Sequence, residues 1–200
     1  MDAALQRRLI EALAGAMIGR ADELTALDQA IGDGDHGVNM KRGFEAVLGQ
    51  IDALGESPLP DALRTLGTTL IMKIGGASGP LYGTLFLTLG KELQPEPTPA
   101  DLARALAAAI AAMKKLGRSD VGQKTMLDVL APAQEELAAG GDDLCARLRR
   151  RAAAAAEATI PMRAIKGRAS FLGERSIGHM DPGARSSSLM IAAVCEALEG

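Results

Sequence analysis

The sequence predicts an all-α, single-domain protein, and three observations predict it. Apolar residues fill 48% of the 200 positions, much of that alanine, while aromatic residues make up only 2%. Alanine is the best helix former, and sheets draw instead on β-branched and aromatic side chains. Apolar residues recur every three or four positions along most of the chain, and no stretch makes a convincing strand. Two hundred residues make one domain. That length buries roughly 70% of the unfolded chain's surface without disulfide or metal staples.

Residues 2–18 form the first helix, with Leu5, Leu9, Leu13 and Met17 four apart on one face. Residues 22–31 follow, with Leu24, Leu27 and Ile31 at helical spacing, and Gly32 ends them. A helical pattern resumes over 38–51, and 55–60 reads as a loop. Residues 61–74 are helical. Gly75-Gly76-Ala77-Ser78-Gly79-Pro80 then turns the chain, with Ser78 or Gly79 as cap and Pro80 at the first position of a helix over 81–93. Gly83 and Gly90 in that helix imply a close helix neighbour. Residues 94–99 connect, and Thr98-Pro99-Ala100-Asp101 opens a helix that closes at Leu116-Gly117. Residues 117–124 are a polar loop. Residues 125–139 form a helix kinked at Pro132, and Asp142-Asp143 starts the next, which carries Arg147, Arg149, Arg150 and Arg151 as a solvated basic face and runs in alanines to Ala156. Residues 160–185 hold six Gly and Pro residues and are too irregular for a helix; loops this long are usually functional. Residues 186–198 close the chain as a helix. The count is seven or eight helices.

The most unusual stretch is Asp28 to Asn39. It holds three carboxylates, Asp28, Asp33 and Asp35, together with His36, one of two histidines in the chain. Each pair of carboxylates about 4 Å apart costs on the order of 1 kcal/mol in water and about 4 kcal/mol at an effective dielectric near 20. A divalent cation converts that repulsion into binding, and all-oxygen ligands favour Mg²⁺, Ca²⁺ or Mn²⁺. An EF-hand loop starting at Asp33 would need glycine and glutamate where Val38 and Phe44 stand. Magnesium completes its shell with phosphate oxygens, so the stretch points to Mg²⁺ with a phosphorylated ligand. The alternative is an acidic turn in which Asp28 and Asp33 cap helices.

Gly32 to Gly37 fits G-x-G-x-x-G literally, but it follows a helix where a dinucleotide fingerprint follows a strand. It also has P-loop spacing, with Val38-Asn39 where Lys-Ser/Thr is required. The helix after it presents its N-terminus, an anion-binding feature, with Asn39, Lys41 and Arg42 in reach. The glycine turn at 75–79 lets backbone approach a phosphate, or simply lets two helices pack. The irregular stretch 160–185 carries Arg163, Lys166, Arg168, Arg175 and Arg185 and is net +3, which suits an anion bridging it to the acidic turn.

The net charge of −3 argues against a nucleic-acid surface. No uncharged run is long enough to span a membrane, and the N-terminus lacks a signal-peptide core. Cys145 and Cys195 both sit in helical patterns and read as buried thiols, which fits a cytoplasmic protein.

The stretches 27–39, 75–83, 117–126 and 167–183, in this order, resemble the L subunit of bacterial dihydroxyacetone kinases. The resemblance spans nearly the whole chain. It implies an eight-helix antiparallel barrel with ADP or ATP at one end, and two Mg²⁺ ions on Asp28, Asp33 and Asp35. It implies that His36, Gly37, Val38, Asn39, Ala77 and Ser78 line the phosphate side. Gly117, Met126, Arg168, Asp181, Pro182 and Gly183 would enclose the rest of the nucleotide. No catalytic side chain is assigned. In this family a separate K subunit holds dihydroxyacetone. In one version ADP stays bound and is recharged by a phosphohistidine on an M subunit of the sugar phosphotransferase system. In the other, ATP exchanges for ADP. The exchanging form often occurs as one fused chain, so a free-standing subunit of this length points to the first. The alternatives are an ATP-exchanging subunit for another small sugar, a non-catalytic Mg-nucleotide sensor and an aspartate-metal hydrolase.

Overall fold

A computed structural model describes residues 2–200. Among the described residues there are ten α-helices, one 3-10 segment and no strand. They are α1 (Ala3–Gly19), α2 (Ala21–Ile31), α3 (His36–Leu48), α4 (Ile51–Glu56), α5 (Leu59–Lys73), α6 (Ser78–Glu92), α7 (Pro99–Gly117), α8 (Leu127–Ala139), α9 (Leu144–Glu157) and α10 (Pro182–Glu199), with the 3-10 segment at Arg168–Ser176.

Eight of these close a ring. In order α1, α3, α5, α6, α7, α8, α9 and α10, each packs on the next, and α10 packs back on α1. The short α4 packs on α1 and α5, and α2 lies against α3, α10 and the 3-10 segment. The barrel interior is filled by Met17, Met40, Phe44, Leu66, Leu70, Tyr82, Met113 and Leu127, all buried. Burying each of the larger apolar side chains contributes about 1.5–3 kcal/mol. No described helix is long and apolar enough to cross a membrane.

Glycine sets how tightly the staves approach. A Cβ on Gly67 would press on the Gly83 carbonyl, and one on Gly90 would meet the Pro60 carbonyl. The pair α5 and α6 is therefore in backbone contact, as Gly83 and Gly90 led us to expect. A Cβ on Gly37 would collide with the Ala21 carbonyl and Thr25, so α2 crosses the first turn of α3 directly.

Several boundaries differ from expectation. In α1 the buried positions are Gln6, Ile10, Leu13, Ala14 and Met17. A strict four-residue repeat drifts off a 3.6-residue helix, so Leu5 and Leu9 fall to the flank of that face. Gln6 is buried because its Nε2 donates to the Leu54 and Ser57 carbonyls at 2.6 and 2.8 Å. The expected single helix over 38–51 is two: α3 ends at Leu48, and α4 occupies part of the expected loop. Ser78 is the first residue of α6 rather than its cap, because its hydroxyl is taken by His36. Thr98 does cap α7, in a capping box with Asp101. The last helix starts at Pro182, four residues early, because Asp181 caps it with Pro182 at its first position.

Candidate functional site

An antiparallel ring of eight staves gathers four helix N-termini at one mouth. The starts of α3, α6, α8 and α10 all line a single cavity of about 210 Å³, as do the C-terminal end of α7 and the turn that follows α5. Each N-terminus carries roughly half a positive charge, with first-turn N–H groups taken by Asp28 at α3 and by Asp181 at α10. Four together make a strong site for anions.

The acidic turn sits at this mouth. Asp28, Asp33 and Asp35 each offer a carboxylate oxygen, and these oxygens lie within 4.8 Å of one another. Asp28 is only 7% exposed, whereas Asp33 and Asp35 reach solvent. The Asp35 and His36 N–H groups donate to Asp28 Oδ2 at 2.8 and 3.1 Å. Asp28 therefore caps α3 and belongs to the cluster at once, whereas Asp33 caps no helix and pairs with Arg168. A Cβ on Gly32 would collide with Asp28 Oδ1, so Gly32 makes room for that carboxylate. The donor set is all oxygen and fits a magnesium ion.

His36 is buried and both ring nitrogens are engaged. Nδ1 lies 3.1 Å from Ser78 Oγ and Nε2 lies 3.0 Å from Ser186 Oγ. Burial pushes its pKa below the ordinary histidine value, against the pull of Asp28 and Asp35. Tyr82, buried on α6, continues the network: its hydroxyl donates to the Gly183 carbonyl at 2.9 Å and lies 2.7 Å from Ser186 Oγ and 3.0 Å from Ser187 Oγ. Burial raises the Tyr82 pKa, so the phenol stays neutral. The ring of His36 thus ties α3 to α6 and α10.

The basic stretch folds across the opposite wall. Arg168 Nε sits 2.8 Å from Asp33 Oδ2, an exposed ion pair that brings the two unusual stretches of the sequence together. Asp181 caps α10, accepting from the Ala184 N–H at 2.7 Å. Burial, with Asp128 repelling it, lifts its pKa to about 7, opposed by Lys124.

The cavity brings together Asp28, Asp33, Asp35, His36, Ala77, Ser78, Gly117, Met126, Arg168, Asp181, Pro182 and Gly183. It does not bring in three residues of the first turn of α3. Gly37 packs under α2, Val38 is 56% exposed, and Asn39 accepts from Arg42 Nη2 at 2.5 Å. Arg42 also donates to the Lys73 carbonyl at 2.8 Å, so it ties α3 to the end of α5, while Lys41 stays on the surface. Sequence reasoning missed Lys124 and Thr125, which also line the cavity. A lysine in a polar loop carries no signal of burial, and none in the sequence marks this one.

The DAK2 domain family matches residues 30–196. The chain is 44% identical over 179 residues to the ADP-binding subunit DhaL of PEP-dependent dihydroxyacetone kinase 1 of Listeria innocua, covering 86% of this chain and 85% of that one. It is 40% identical to the ADP-binding subunit DhaL of the PEP-dependent dihydroxyacetone kinase of Escherichia coli, with the same coverage. Among solved structures it is similar to the dihydroxyacetone kinase of C. freundii in complex with AMP-PNP and Mg²⁺, at a TM-score of 0.79 and 28% identity over 96% of this chain. It spans about a third of that longer protein, 34% of its length.

Proposed function

The chain belongs to the DAK2 domain family, and on that premise we propose that it is the ADP-binding subunit of a phosphoenolpyruvate-dependent dihydroxyacetone kinase, a phosphotransferase. The relatives named above support the activity. The single observation that carries the site is the cluster of three carboxylates at the mouth where four helix N-termini converge.

Phosphoryl transfer asks a protein chiefly for charge neutralisation and alignment. Asp28, Asp33 and Asp35 would hold Mg²⁺, in the proposed reading two ions, which when bound neutralise charge on the nucleotide phosphates. Gly75 and Gly76, in the turn before α6, line the cavity and let backbone approach phosphate oxygens closely. Arg168 stands beside Asp33, where a guanidinium can move between a carboxylate and a phosphate. His36 is held by Ser78 and Ser186, so its ring positions the mouth rather than abstracting a proton. Met126 and the Asp181–Gly183 turn wall the nucleoside side.

The acceptor, dihydroxyacetone, is held in this reading by a separate K subunit that docks at the mouth. Bound ADP is recharged there by a phosphohistidine on an M subunit. The two free thiols, Cys145 and Cys195, suit a reducing cytoplasm.

Heat denaturation of extensively dialysed protein in Mg²⁺ tests the reading. Stoichiometric release of ADP supports a captive nucleotide. An empty protein that binds ATP reversibly moves the assignment to an exchanging kinase. Asp33→Ala should abolish Mg²⁺-dependent ADP binding with helicity unchanged, and normal binding by this variant would show that the carboxylates are misassigned.

A further inference from the structure

Lys124 is among the most deeply buried residues of the chain, at 1% exposed, and no carboxylate bonds to it. Its Nζ lies within reach of five backbone carbonyls: Thr159 at 2.8 Å, Ile160 at 3.4 Å, Met162 at 3.0 Å, Ser176 at 2.8 Å and His179 at 2.6 Å. An ammonium has three protons, so five acceptors cannot each receive a bond of their own. The arrangement is that of a cation coordinated by a shell of carbonyl dipoles, the kind of shell that replaces the hydration of a potassium ion. The residue also sits at a φ of +62°, in the left-handed region that a non-glycine residue seldom adopts. Such a conformation persists where surrounding contacts over-determine it.

The five carbonyls all belong to the strap, residues 159–179, whose Ala164 and Ala169 pack on Ile31 of α2 and which has few hydrogen bonds to the barrel. Ile165 N donates to the Gln123 carbonyl at 3.3 Å, while Ala164 N to Ser176 Oγ and Gly178 N to the Ile160 carbonyl stay within the strap. The strap carries Arg168 to Asp33 and leads directly into Asp181 and the first turn of α10. Removing the charge at Lys124 would take the ammonium from all five carbonyls, and only those of Thr159 and Ile160 would keep a backbone donor, from Met162 and Gly178.

We propose that Lys124 is a positioning residue for the nucleotide cavity: a tethered cation that organises five strap carbonyls and thereby sets Arg168 and the Asp181–Gly183 turn against the acidic mouth. The link to nucleotide rests on the function proposed above. The cage itself does not.

The test exploits the cation-like geometry. Lys124→Gly relieves the left-handed backbone and empties the cage. In sodium chloride the Ala164 and Gly178 amides of this variant should exchange at least about tenfold faster than in wild type. Hydrogen bonds to a charged group each contribute more than the interval that shifts an equilibrium tenfold. Potassium or ammonium chloride at equal ionic strength should restore slow exchange, and should restore ADP affinity in parallel, while wild type is indifferent to the cation. Wild-type exchange in sodium overturns the proposal. So does fast exchange that no cation corrects, because that is the mark of a packing defect. If Lys124→Gly folds in no salt, Lys124→Met decides, because it keeps the side-chain volume and shuts cations out: fast strap exchange then reports the lost charge and supports the cage, and wild-type protection overturns it. Should wild type itself fail to bind Mg-ADP, the proposed function falls, while the exchange data still judge Lys124.

Discussion

The acidic turn at 28–36 and the strap at 159–179, with the Asp181 turn it leads into, line one cavity and are held in different ways. The turn is self-supporting. Asp28 reaches forward seven and eight positions to cap α3, and Gly32 between them clears space for its carboxylate. The strap has a few bonds of its own, such as Ala164 N to Ser176 Oγ and Gly178 N to the Ile160 carbonyl, but five of its carbonyls converge on one ammonium 35 to 55 positions away. A local scaffold fixes ligands that must stay close despite mutual repulsion. A remote anchor lets a basic segment be pinned at one point and remain exposed at Arg168.

The strongest way to break this contrast is to damage the turn from within. Gly32 has a negative φ of −141°, so its need for glycine comes from Asp28 and not from a left-handed backbone. Gly32→Ala should drive the Asp28 carboxylate from its place, uncapping α3 and scattering the cluster. We expect Mg²⁺-dependent ADP affinity to fall by at least about a thousandfold, or ~4 kcal/mol. Strap exchange at Ala164 and Gly178 should hardly change, because the Lys124 cage does not pass through the turn. Isothermal titration and amide exchange measure the two halves. A strap that loosens along with the turn would show the two regions to be one unit.

This contrast also explains what could be read in the sequence. The helical class was legible because 3.6-residue periodicity and alanine content are local signals. The closed ring of eight staves was not a matter of periodicity and came through the family resemblance, since which stave meets which is settled by long-range packing. Asp28, Asp33 and Asp35 were legible because three carboxylates in eight residues conflict electrostatically unless they have a purpose. Asp181 as the cap of α10 was missed although Asp-Pro is a strong start signal, because the glycines around it suggested loop. Lys124 was illegible in principle: its burial is created by carbonyls, and every residue type has one.

A smaller effect sharpens the strap side. Burial lifts Asp181 to about 7, well above the unfolded value near 3.9. Between about pH 4 and pH 7 the folded chain holds a proton that the unfolded chain has released. The stabilisation is therefore fully present below about pH 4 and is lost as pH rises through 7. Asp181→Asn keeps a good helix cap and cannot titrate. Urea melts of wild type should lose on the order of 4 kcal/mol across that window relative to the variant. Parallel slopes would show that Asp181 titrates as an ordinary surface carboxylate.

The smallest expected effect lies where the two regions touch. Arg168 and Asp33 form an ion pair whose side chains are 68% and 37% exposed. Exposed pairs of this kind contribute about 0–1 kcal/mol, because water screens the attraction and two side chains must be ordered to hold it. Arg168→Gln should therefore leave the midpoint of urea unfolding of the ligand-free protein nearly unchanged. Its effects on ligands should have opposite signs. Asp33 loses a competing cation, so Mn²⁺ binding to the nucleotide-free chain, followed by electron paramagnetic resonance, should tighten a few-fold. ADP loses a guanidinium that phosphate prefers, so its affinity in the presence of Mg²⁺ should fall. If both affinities fall together, Arg168 supports the shape of the mouth and is not exchanged between carboxylate and phosphate. If both are unchanged, the ion pair is an incidental surface contact, and the strap is held to the turn by the apolar packing of Ala164 and Ala169 on Ile31.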